Sequence, residues 1–456
     1  MTNSLKTAAL ALALSCATTL AFADAHTTLK FPEGEGAFNW ASYDAYKSSA
    51  PDLAGQDVSV FGPWTGPEKD NFTNLLAYFN AATGANATYA GSDSFEQQIV
   101  IDAAAGSAPN ISVFPQPGLA ANLASKGQLT PLPDGLDTFV SEEFAAGPSW
   151  VSLGTYANEA GEDDFYGMFF NVNVKSLVWY SPDNFEDAGY DVPTTMEELK
   201  ALSDRIVEDG GTPWCIGLGS GAATGWPATD WVEDMMLRTQ DGTVYDQWVS
   251  NEIKFDDPRV IAAIEEFGSF ARNDDYVDGG AGAVATTDFR DSPKGLFASP
   301  PKCYLHRQAS FIPAFFPEGT KLGQDADFFY FPAFAEKDLG SPVLGAGTLM
   351  AITKDSPASQ AFMEFLKTPV AHEIMMAQGA FLTPLKSANL DTYPDDSTKK
   401  QGEILTNATT FRFDASDLMP GKIGAGAFWT GMVDYAGGKD ATEVAKGIQA
   451  EWDAIK

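Results

Sequence analysis

The stretch from residue 57 to residue 84, DVSVFGPWTGPEKDNFTNLLAYFNAATG, decides the fold class of this chain. Its first part, Val58–Phe61, is short and apolar and stops at Gly62 and Pro63, which is typical of a buried strand followed by a turn. Pro67 is a favourable first residue for a helix, and the apolar side chains that follow keep to one helical face until Gly84. The stretch therefore predicts a strand, a turn and a helix in succession.

The same unit recurs farther along the chain. Residues 110–114 read as a second strand, the run Pro115–Gly118 ends it, and residues 119–125 read as a helix. Further helix starts are predicted in residues 193–198, at Asp257, in residues 355–357 and at Asp440 or Thr442. Residues 26–54 are rich in Gly, Pro and Ser and are expected to be irregular. Strands that alternate with helices predict an α/β fold.

Length and composition point to a large folded protein with an acidic surface. The chain has 456 residues, 44% of them hydrophobic, so it is long enough for two lobes with well-developed cores. Lys and Arg number 28 against 62 Asp and Glu, which gives a net charge of −34. Such a charge repels phosphate backbones, so we expect no nucleic-acid partner. No internal repeat of 20 to 50 residues is present, which excludes solenoids and propellers.

The N-terminus has the layout of a secretory signal peptide. Lys6 precedes an apolar run over residues 8–14, and small residues end at Ala21-Phe22-Ala23. We expect cleavage after residue 23, so that the mature chain begins at Asp24, with His26 as the alternative start, and a periplasmic location. A lipid anchor on Cys16 is the less favoured alternative.

Two cysteines remain after that cleavage, Cys215 and Cys303. An even pair in an oxidising compartment is most simply a disulfide, whereas two buried free thiols are the alternative that spacing alone does not remove.

Sequence motifs for catalysis are missing. His372-Glu373 lacks the second histidine of a zinc helix, and neither a nucleophile elbow nor a phosphate-binding loop occurs. We expect no cofactor and no metal. A pair of carboxylates could still serve a glycoside hydrolase, since 62 acidic residues allow many pairings.

Several tryptophans stand beside turn-forming residues, which suggests a sugar site. Trp64 follows Gly62-Pro63, Trp226 lies between Gly225 and Pro227, and Trp429 precedes Thr430-Gly431. An indole can stack on the apolar face of a pyranose, while amide and carboxylate groups bind its hydroxyls. Each tryptophan taken alone is more often part of a core.

The chain also resembles the substrate-binding proteins of bacterial ABC importers, specifically the large sugar-binding type related to maltose-binding protein, and among them the α-glucoside-binding members. The resemblance covers essentially the whole mature chain. It is carried by six stretches: residues 31–38 (FPEGEGAF), 61–64 (FGPW), 91–99 (GSDSFEQQI), 115–119 (PQPGL), 173–180 (NVKSLVWY) and 225–231 (GWPATDW).

The resemblance implies two α/β lobes, each with a sheet flanked by helices, that are joined by crossover segments and close on a ligand between them. Residues 24–165 and 346–388 would form lobe 1, and residues 166–345 and 389–456 would form lobe 2. The chain would cross between lobes near Gly345-Ala346-Gly347, and both cysteines would then lie in lobe 2.

The resemblance also implies the ligand-binding residues. They are Trp64 and Gln116 on the lobe 1 side, and Asn171, Trp226, Asp230, His306, Arg307 and Trp429 on the lobe 2 or hinge side. The alignment needs an insertion around His306, Arg307 and Gln308, where this chain departs from maltose-binding protein.

The function expected from this resemblance is capture of an α-glucoside, a di- or oligosaccharide, and its delivery to the permease subunits of an ABC transporter in the inner membrane. The protein would be a monomer and would catalyse no reaction. The alternative is a secreted glycoside hydrolase, and a third possibility, an adhesion module, is disfavoured because the chain has no repeats.

Overall fold

The structure is a computed structural model that describes residues 28–379, 381–407 and 409–455. The predicted signal peptide, residues 1–23, lies outside the described residues. Within them, no helix has both the length and the apolar content that a membrane-spanning segment needs.

A six-stranded mixed sheet forms the centre of one side of the molecule. Its six strands are β1 (Asp57–Gly62), β2 (Asn86–Gly91), β3 (Ile111–Phe114), β6 (Gly167–Val174), β10 (Pro342–Ile352) and β11 (Thr410–Phe413). Strands β1, β2 and β3 are parallel, with Asp57 opposite Asn86 and Val60 opposite Ile111. The long strand β10 runs antiparallel to β3 and β6 and parallel to β11.

The other strands of the described residues form two smaller sheets. A two-stranded hairpin consists of β4 (Thr155–Ala157) and β5 (Asp163–Phe165). A three-stranded antiparallel sheet has β7 (Leu177–Tyr180) between β8 (His306–Arg307) and β9 (Asp327–Tyr330). Since β6 and β7 follow each other directly in the chain, the two larger sheets adjoin at residues 174–177.

Helices cover both sides of the molecule. Those in the first half of the chain are α1 (Trp40–Ser49), α2 (Gly66–Thr83), α3 (Phe95–Ala105), α4 (Pro117–Ala124), α5 (Leu136–Glu143), α6 (Gly147–Gly154), α7 (Pro182–Ala188) and α8 (Met196–Glu208). The others are α9 (Trp226–Thr239), α10 (Gly242–Val249), α11 (Pro258–Ala271), α12 (Pro357–Leu366), α13 (Pro369–Met376), α14 (Asp396–Asn407), α15 (Ala415–Leu418), α16 (Trp429–Ala436) and α17 (Ala441–Asp453).

The predicted strand–turn–helix units are confirmed as β1–α2 and β3–α4. The predicted capping box also forms: the Thr195 hydroxyl accepts a hydrogen bond from the Glu198 amide at 3.2 Å at the start of α8. The Glu198 carboxylate in turn accepts one from the Thr194 amide at 2.8 Å. The helices predicted from Asp257 and Asp440 begin directly after these residues, each of which caps its helix with its carboxylate. Turn and cap chemistry was thus a sound guide to these elements.

The expectation that residues 26–54 are irregular is wrong for its second half, where α1 forms. The Asn39 side chain caps this helix by accepting a hydrogen bond from the Ser42 amide at 3.1 Å. Tyr43 and Tyr46 are buried on one face of α1, and their hydroxyls donate to the carbonyls of Tyr78 and Ala361. Tertiary packing of two tyrosines therefore stabilises a helix in a segment whose composition favours loops.

The buried apolar residues fall into distinct clusters. The largest draws on residues 43–172 and 346–388 together with Phe413 and covers the faces of the six-stranded sheet. A second draws on residues 178–344 and 415–448. A third, smaller cluster lies around Trp179 and Phe289 and contains the two cysteines. The molecule thus has separate cores, and the junction between them is crossed by β6–β7 and β10.

Cys215 and Cys303 form the predicted disulfide, with their Cα atoms 5.5 Å apart and a sequence separation of 88. Both cysteines are buried, so the bridge lies inside the third cluster and not on the surface.

Candidate functional site

A cavity of about 860 Å³, its mouth included, opens between the cores. One wall lies at the carboxyl ends of the parallel strands β1, β2 and β3, where the chain leaves the sheet in short turns. In open α/β sheets this edge is where ligands bind, because the loops there are free to carry functional side chains. The wall consists of Pro63, Trp64, Glu68, Ser92, Asp93, Glu96, Pro115 and Gln116.

The opposite wall comes from segments that are far apart in sequence. The end of β6, the start of α9 and the segments around residues 220 and 290 contribute to it, and the residues after β11 close the base. Its members are Asn171, Asn173, Lys175, Ser220, Ala223, Trp226, Asp230, Phe289, Arg290, Phe311, Asp414, Ser416, Asp417 and Trp429. Residues 346–348 of β10 line the cavity between the two walls.

Two glycines allow the backbone to come close at this cavity. Gly225, with φ of +118°, caps α9, and a Cβ added to it would lie 2.3 Å from the Trp429 carbonyl oxygen. A Cβ on Gly347 would lie 2.8 Å from the Asn171 carbonyl oxygen. The first contact sets Trp226 against the start of α16, and both positions therefore require glycine.

Three tryptophans face the cavity from different elements. Trp64 follows β1 and packs on Phe72 with ring centroids 5.0 Å apart. Trp226 begins α9 and meets Phe289 edge-on at 4.9 Å. Trp429 follows a π-helical turn over Ile423–Phe428, a distortion that is common at functional sites, and only 3% of it is exposed. Each indole is fixed by its own neighbours and presents its remaining surface to the same space.

Six of the eight ligand-binding residues implied by the resemblance line this cavity: Trp64, Gln116, Asn171, Trp226, Asp230 and Trp429. The Gln116 amide donates to the Glu96 carboxylate at 3.1 Å, which ties the two residues to one position. The Asn171 side-chain oxygen accepts a hydrogen bond from the Leu382 amide at 3.4 Å.

His306 and Arg307 do not reach the cavity wall. Both are buried in β8, which pairs with β7. His306 Nδ1 lies 2.8 Å from the Cys215 carbonyl oxygen, and burial lowers the pKa of the imidazole to about 4, so it is neutral. Arg307 donates to the Asp234 carboxylate at 2.5 Å and lies over Trp231.

Arg307 is linked to the cavity by an ion pair with the lining residue Asp230, because Arg307 Nη1 is 3.8 Å from Asp230 Oδ2. The segment that contains His306 and Arg307 pairs with β7 and does not line the cavity, so a ligand contact by either residue stays a prediction. Gln308, next in the chain, is also turned inward and accepts a hydrogen bond from the Ala309 amide.

A buried charge cluster forms the base of the cavity. Lys175 Nζ donates to Asp230 at 2.7 Å and to Asp414, and the Asp414 carboxylate also accepts from Ser416 Oγ at 2.8 Å. Glu233 lies behind them and accepts hydrogen bonds from the amides of Ala415 and Ser416, both at 3.0 Å. Asp230, Glu233 and Asp414 approach one another closely enough to hold a cation, and the Lys175 ammonium supplies that charge to Asp230 and Asp414.

The pKa values in this cluster follow from its burial and pairing. Burial raises the pKa of Asp230 to about 7, in opposition to the adjacent Lys175. Burial also disfavours the ionised form of Asp414, but Lys175 and the hydrogen bonds outweigh it and lower the pKa of that carboxyl. The pKa of Lys175 is raised, because its carboxylate neighbours outweigh its own burial. Lys175 therefore stays positive and Asp414 stays negative at neutral pH.

Five buried polar atoms of lining residues have no hydrogen-bond partner within the described part of the chain. They are Gln116 Oε1, Asp230 Oδ2, Arg290 Nε, Thr348 Oγ1 and Trp429 Nε1. Since buried polar groups are normally satisfied, lining residues that hold such atoms are candidates for hydrogen bonds to a bound molecule. Donors and acceptors are mixed, which suits hydroxyl groups, because each hydroxyl both donates and accepts.

Several lining residues were missed by sequence reasoning, namely Lys175, Asp414, Asp417, Glu96, Arg290 and Thr348. Two of them carried a usable signal. Lys175 interrupts the apolar run Phe169–Tyr180, and Asp414 follows the apolar end of β11 directly. A charged residue in such a position is rarely buried without a specific partner, so both could have been nominated.

Comparison with known proteins identifies the family. Residues 65–373 match the family described as bacterial extracellular solute-binding protein. The chain is 63% identical over 430 residues to the α-glucosides-binding periplasmic protein AglE of Rhizobium meliloti (strain 1021), a match that covers 94% of each protein. It is 43% identical over 397 residues to the osmoprotective compounds-binding protein GgtB of Synechocystis, a match that covers 87% of this chain and 92% of that protein.

Among solved structures, the bacterial solute receptor AcbH superposes with a TM-score of 0.75 at 18% identity, over 88% of this chain and all of that one. That similarity concerns the fold alone and agrees with two lobes about a central cavity. Given the match over most of its length and the identity to two binding proteins, this chain belongs to the bacterial extracellular solute-binding protein family.

Proposed function

We propose that this protein binds an α-linked glucoside in the cavity between its cores and delivers it unchanged to the permease of an ABC importer. The observation that carries the proposal is that one cavity is lined by three tryptophans and by five residues that each hold a buried polar atom without a hydrogen-bond partner among the described residues. These are the two kinds of contact that a sugar ring needs, one for its C–H face and one for its hydroxyl rim.

The ligand class rests on the relatives. AglE bears the name of an α-glucosides-binding protein, and at 63% identity most of its cavity residues are expected to recur here. GgtB is named for binding osmoprotective compounds, which indicates that relatives of this chain differ in the ligand class for which they are named. Both relatives are binding proteins and not enzymes, so a glycoside hydrolase is not favoured. We therefore infer that the protein releases its sugar unchanged.

We further propose the division into lobes that the resemblance implies, with residues 24–165 and 346–388 in lobe 1 and residues 166–345 and 389–456 in lobe 2. The separate apolar clusters support most of this division, since the largest draws on residues 43–172 and 346–388. Residues 166–172, which the division assigns to lobe 2, pack in that same cluster with lobe 1. The C-terminal segment also reaches lobe 1, because Phe413 packs in the first cluster. The boundary at residue 389 therefore approximates a segment that both lobes share.

The location and partners follow from the family. AglE is periplasmic, and we propose the same location for this protein, reached through the signal peptide in residues 1–23. Its partners would be the sugar and the permease subunits in the inner membrane, and the acidic chain would bind its permease as a monomer.

Calorimetric titration tests the proposal. Maltose, sucrose and trehalose represent α-glucosides, and cellobiose represents a β-linked control. We expect saturable binding of at least one α-glucoside and none of cellobiose, and chromatography should recover the bound sugar intact. Release of glucose would instead support the hydrolase, and absence of binding by all three α-glucosides would contradict the ligand class.

A pair of variants connects the binding to the cavity. Trp226→Ala should weaken affinity by about 1–3 kcal/mol, or about 5- to 150-fold, because it removes a stacking surface. Trp452→Ala is the matched control, since this indole is also partly exposed but packs on Phe255 beside α17. Equal affinities of the two variants would remove Trp226 from the site.

A further inference from the structure

Arg290 makes a contact across the cavity that the residues already assigned to binding do not make. Its Nη2 donates to the Asp93 carboxylate at 2.6 Å and to the Thr65 hydroxyl at 3.1 Å. Thr65 follows β1, and Asp93 lies between β2 and α3, so both belong to the wall formed by the first sheet. Arg290 comes from the opposite wall, directly after Phe289 of the third apolar cluster.

Residues of its own wall also contact the Arg290 guanidinium and restrict its position. Its central carbon lies 4.3 Å from the ring centroid of Phe289 and 5.7 Å from that of Phe315. Asp288 adds a weaker ion pair at 3.5 Å. Stacking on aromatic rings restricts the side chain, so less conformational entropy is lost when it pairs with Asp93.

The two walls touch at the same place. A Cβ added to Gly221, which belongs to the wall that carries Arg290, would lie 2.9 Å from the Asp93 Cβ. Asp93 is therefore packed against the opposite wall as well as ion-paired to it. Arg290 Nε is buried without a hydrogen-bond partner among the described residues, and Arg290 itself lines the cavity.

We propose that Arg290 is a positioning residue that fastens the closed cavity through Asp93 and Thr65, and that it acts on the ligand through this closure. The ion pair exists only when the walls are together, so its free energy favours the closed form. A ligand held in the closed form then leaves more slowly, because the walls must separate before it can escape. Arg290 thereby sets the residence time of the ligand, an inference that rests on the proposed function for the choice of sugar probe.

The decisive variant is Asp93→Asn, which keeps the size of the side chain and removes its charge. Stopped-flow tryptophan fluorescence, with the α-glucoside that gives the largest heat in calorimetry, yields the association and dissociation rate constants. We expect the dissociation rate to rise about 3- to 10-fold, a magnitude typical of losing a partly exposed, charge-assisted pair. The association rate should change less than about 2-fold, as is usual for contacts formed after encounter.

The salt dependence of the dissociation rate distinguishes this ion pair from a purely structural role of Asp93. The Arg290 and Asp93 side chains are 19% and 36% exposed, so ions screen the pair in part. Raising the salt concentration to about 0.5 M should speed dissociation from the natural protein and leave the Asp93→Asn rate nearly unchanged.

The matched control is Asp257→Asn. Asp257 and Arg259 form a doubly bonded pair at 2.8 and 2.9 Å, but both lie at the start of α11 and join no separate walls. This variant should leave both rate constants unaltered. Equal dissociation rates for the natural protein and Asp93→Asn would overturn the inference, while sugar binding by both would leave the proposed function intact.

If the natural protein bound no α-glucoside, the proposed function would fail. The effect of the Arg290–Asp93 ion pair on closure would then be tested on the protein without ligand. Small-angle scattering at low salt should then give Asp93→Asn a larger radius of gyration than the natural protein. Equal radii would overturn the inference in that case.

Discussion

Trp429 combines a cavity position with near-complete burial, and the two roles can be separated by a conservative change. Trp429→Phe keeps most of the apolar volume but removes the unpaired Nε1 donor and part of the stacking face. We expect affinity for the α-glucoside to fall about 5- to 30-fold, equivalent to about 1–2 kcal/mol. The apo melting temperature should fall only slightly, because the cavity left behind is small.

Trp248→Phe is the companion variant, because this indole is buried against Phe255 and Phe428 and not in the cavity wall. It should lower the melting temperature and leave affinity unchanged. A Trp429→Phe protein with natural affinity and a strongly lowered melting temperature would show that Trp429 is a core residue only.

Glu96 should make stability depend on pH. Burial, with a smaller contribution from Asp93, raises its pKa to about 7, and the hydrogen bond from Gln116 opposes this. The folded protein then binds a proton between about pH 4.5 and 7 that the unfolded chain has lost, so the free energy of unfolding falls as pH rises through that window. The difference corresponds to about 3 kcal/mol at most.

Glu96→Gln should flatten this decline and raise the melting temperature at pH 8 relative to the natural protein. Glu265→Gln, a change at an exposed position of α11, is the control and should leave the profile as it is. Urea unfolding at pH 5 and pH 8 measures both, and parallel profiles for the natural protein and Glu96→Gln would contradict the assignment.

At the scale of elements, the junction of α9 and α16 depends on one glycine. Gly225→Ala would place a methyl group 2.3 Å from the Trp429 carbonyl oxygen and force alanine into φ of +118°. We expect destabilisation of at least about 3 kcal/mol, from backbone strain and from the separation of the two helix starts. Sugar affinity should fall as well, since Trp226 and Trp429 are the first residues of the two helices that meet at this contact.

Gly282→Ala provides the comparison, because no atom lies within 4 Å of its added Cβ. It should alter stability by no more than about 0.5 kcal/mol. Thermal unfolding of both variants, with calorimetry of any that fold, measures the difference, and equal melting temperatures would show that the α9–α16 contact relaxes without cost.

At the scale of the whole molecule, the separate apolar clusters and the cavity between them predict closure on a ligand. A sugar that touches both walls stabilises the closed form by its differential affinity for that form. Scattering should therefore give a smaller radius of gyration with saturating α-glucoside than without it. Cellobiose at the same concentration is the control, and an unchanged radius with bound α-glucoside would count against a hinge.

The disulfide restricts one side of this motion only. Cys215 and Cys303 lie in the same apolar cluster, and the bridge joins no residue of the wall formed by β1, β2 and β3. It can therefore stabilise its own core, by about 4–5 kcal/mol for a loop of this length in the chain-entropy model, without opposing closure.

Much of the local structure could be predicted from the sequence. Helix and strand positions follow from apolar periodicity and from caps such as Thr195 and Asp257, whose effects act over a few neighbouring residues. The placement of Trp64 and Gln116 follows from a general rule, because both directly succeed parallel strands. The α1 helix was not predicted from the sequence, because its stability comes from tyrosines that pack on residues far away in the chain.

What the sequence by itself determined is the α/β class, the order of most elements, the even cysteine pair and, through its family resemblance, six of the residues that line the cavity. Only the tertiary structure decided which charges meet: Lys175 and Asp414 are 239 residues apart, and Arg290 and Asp93 are 197 apart. It also turned His306 and Arg307 inward against β7 and α9. The physical reason is one of range, since turns and caps depend on adjacent residues, whereas the partner of a buried charge depends on how distant segments pack.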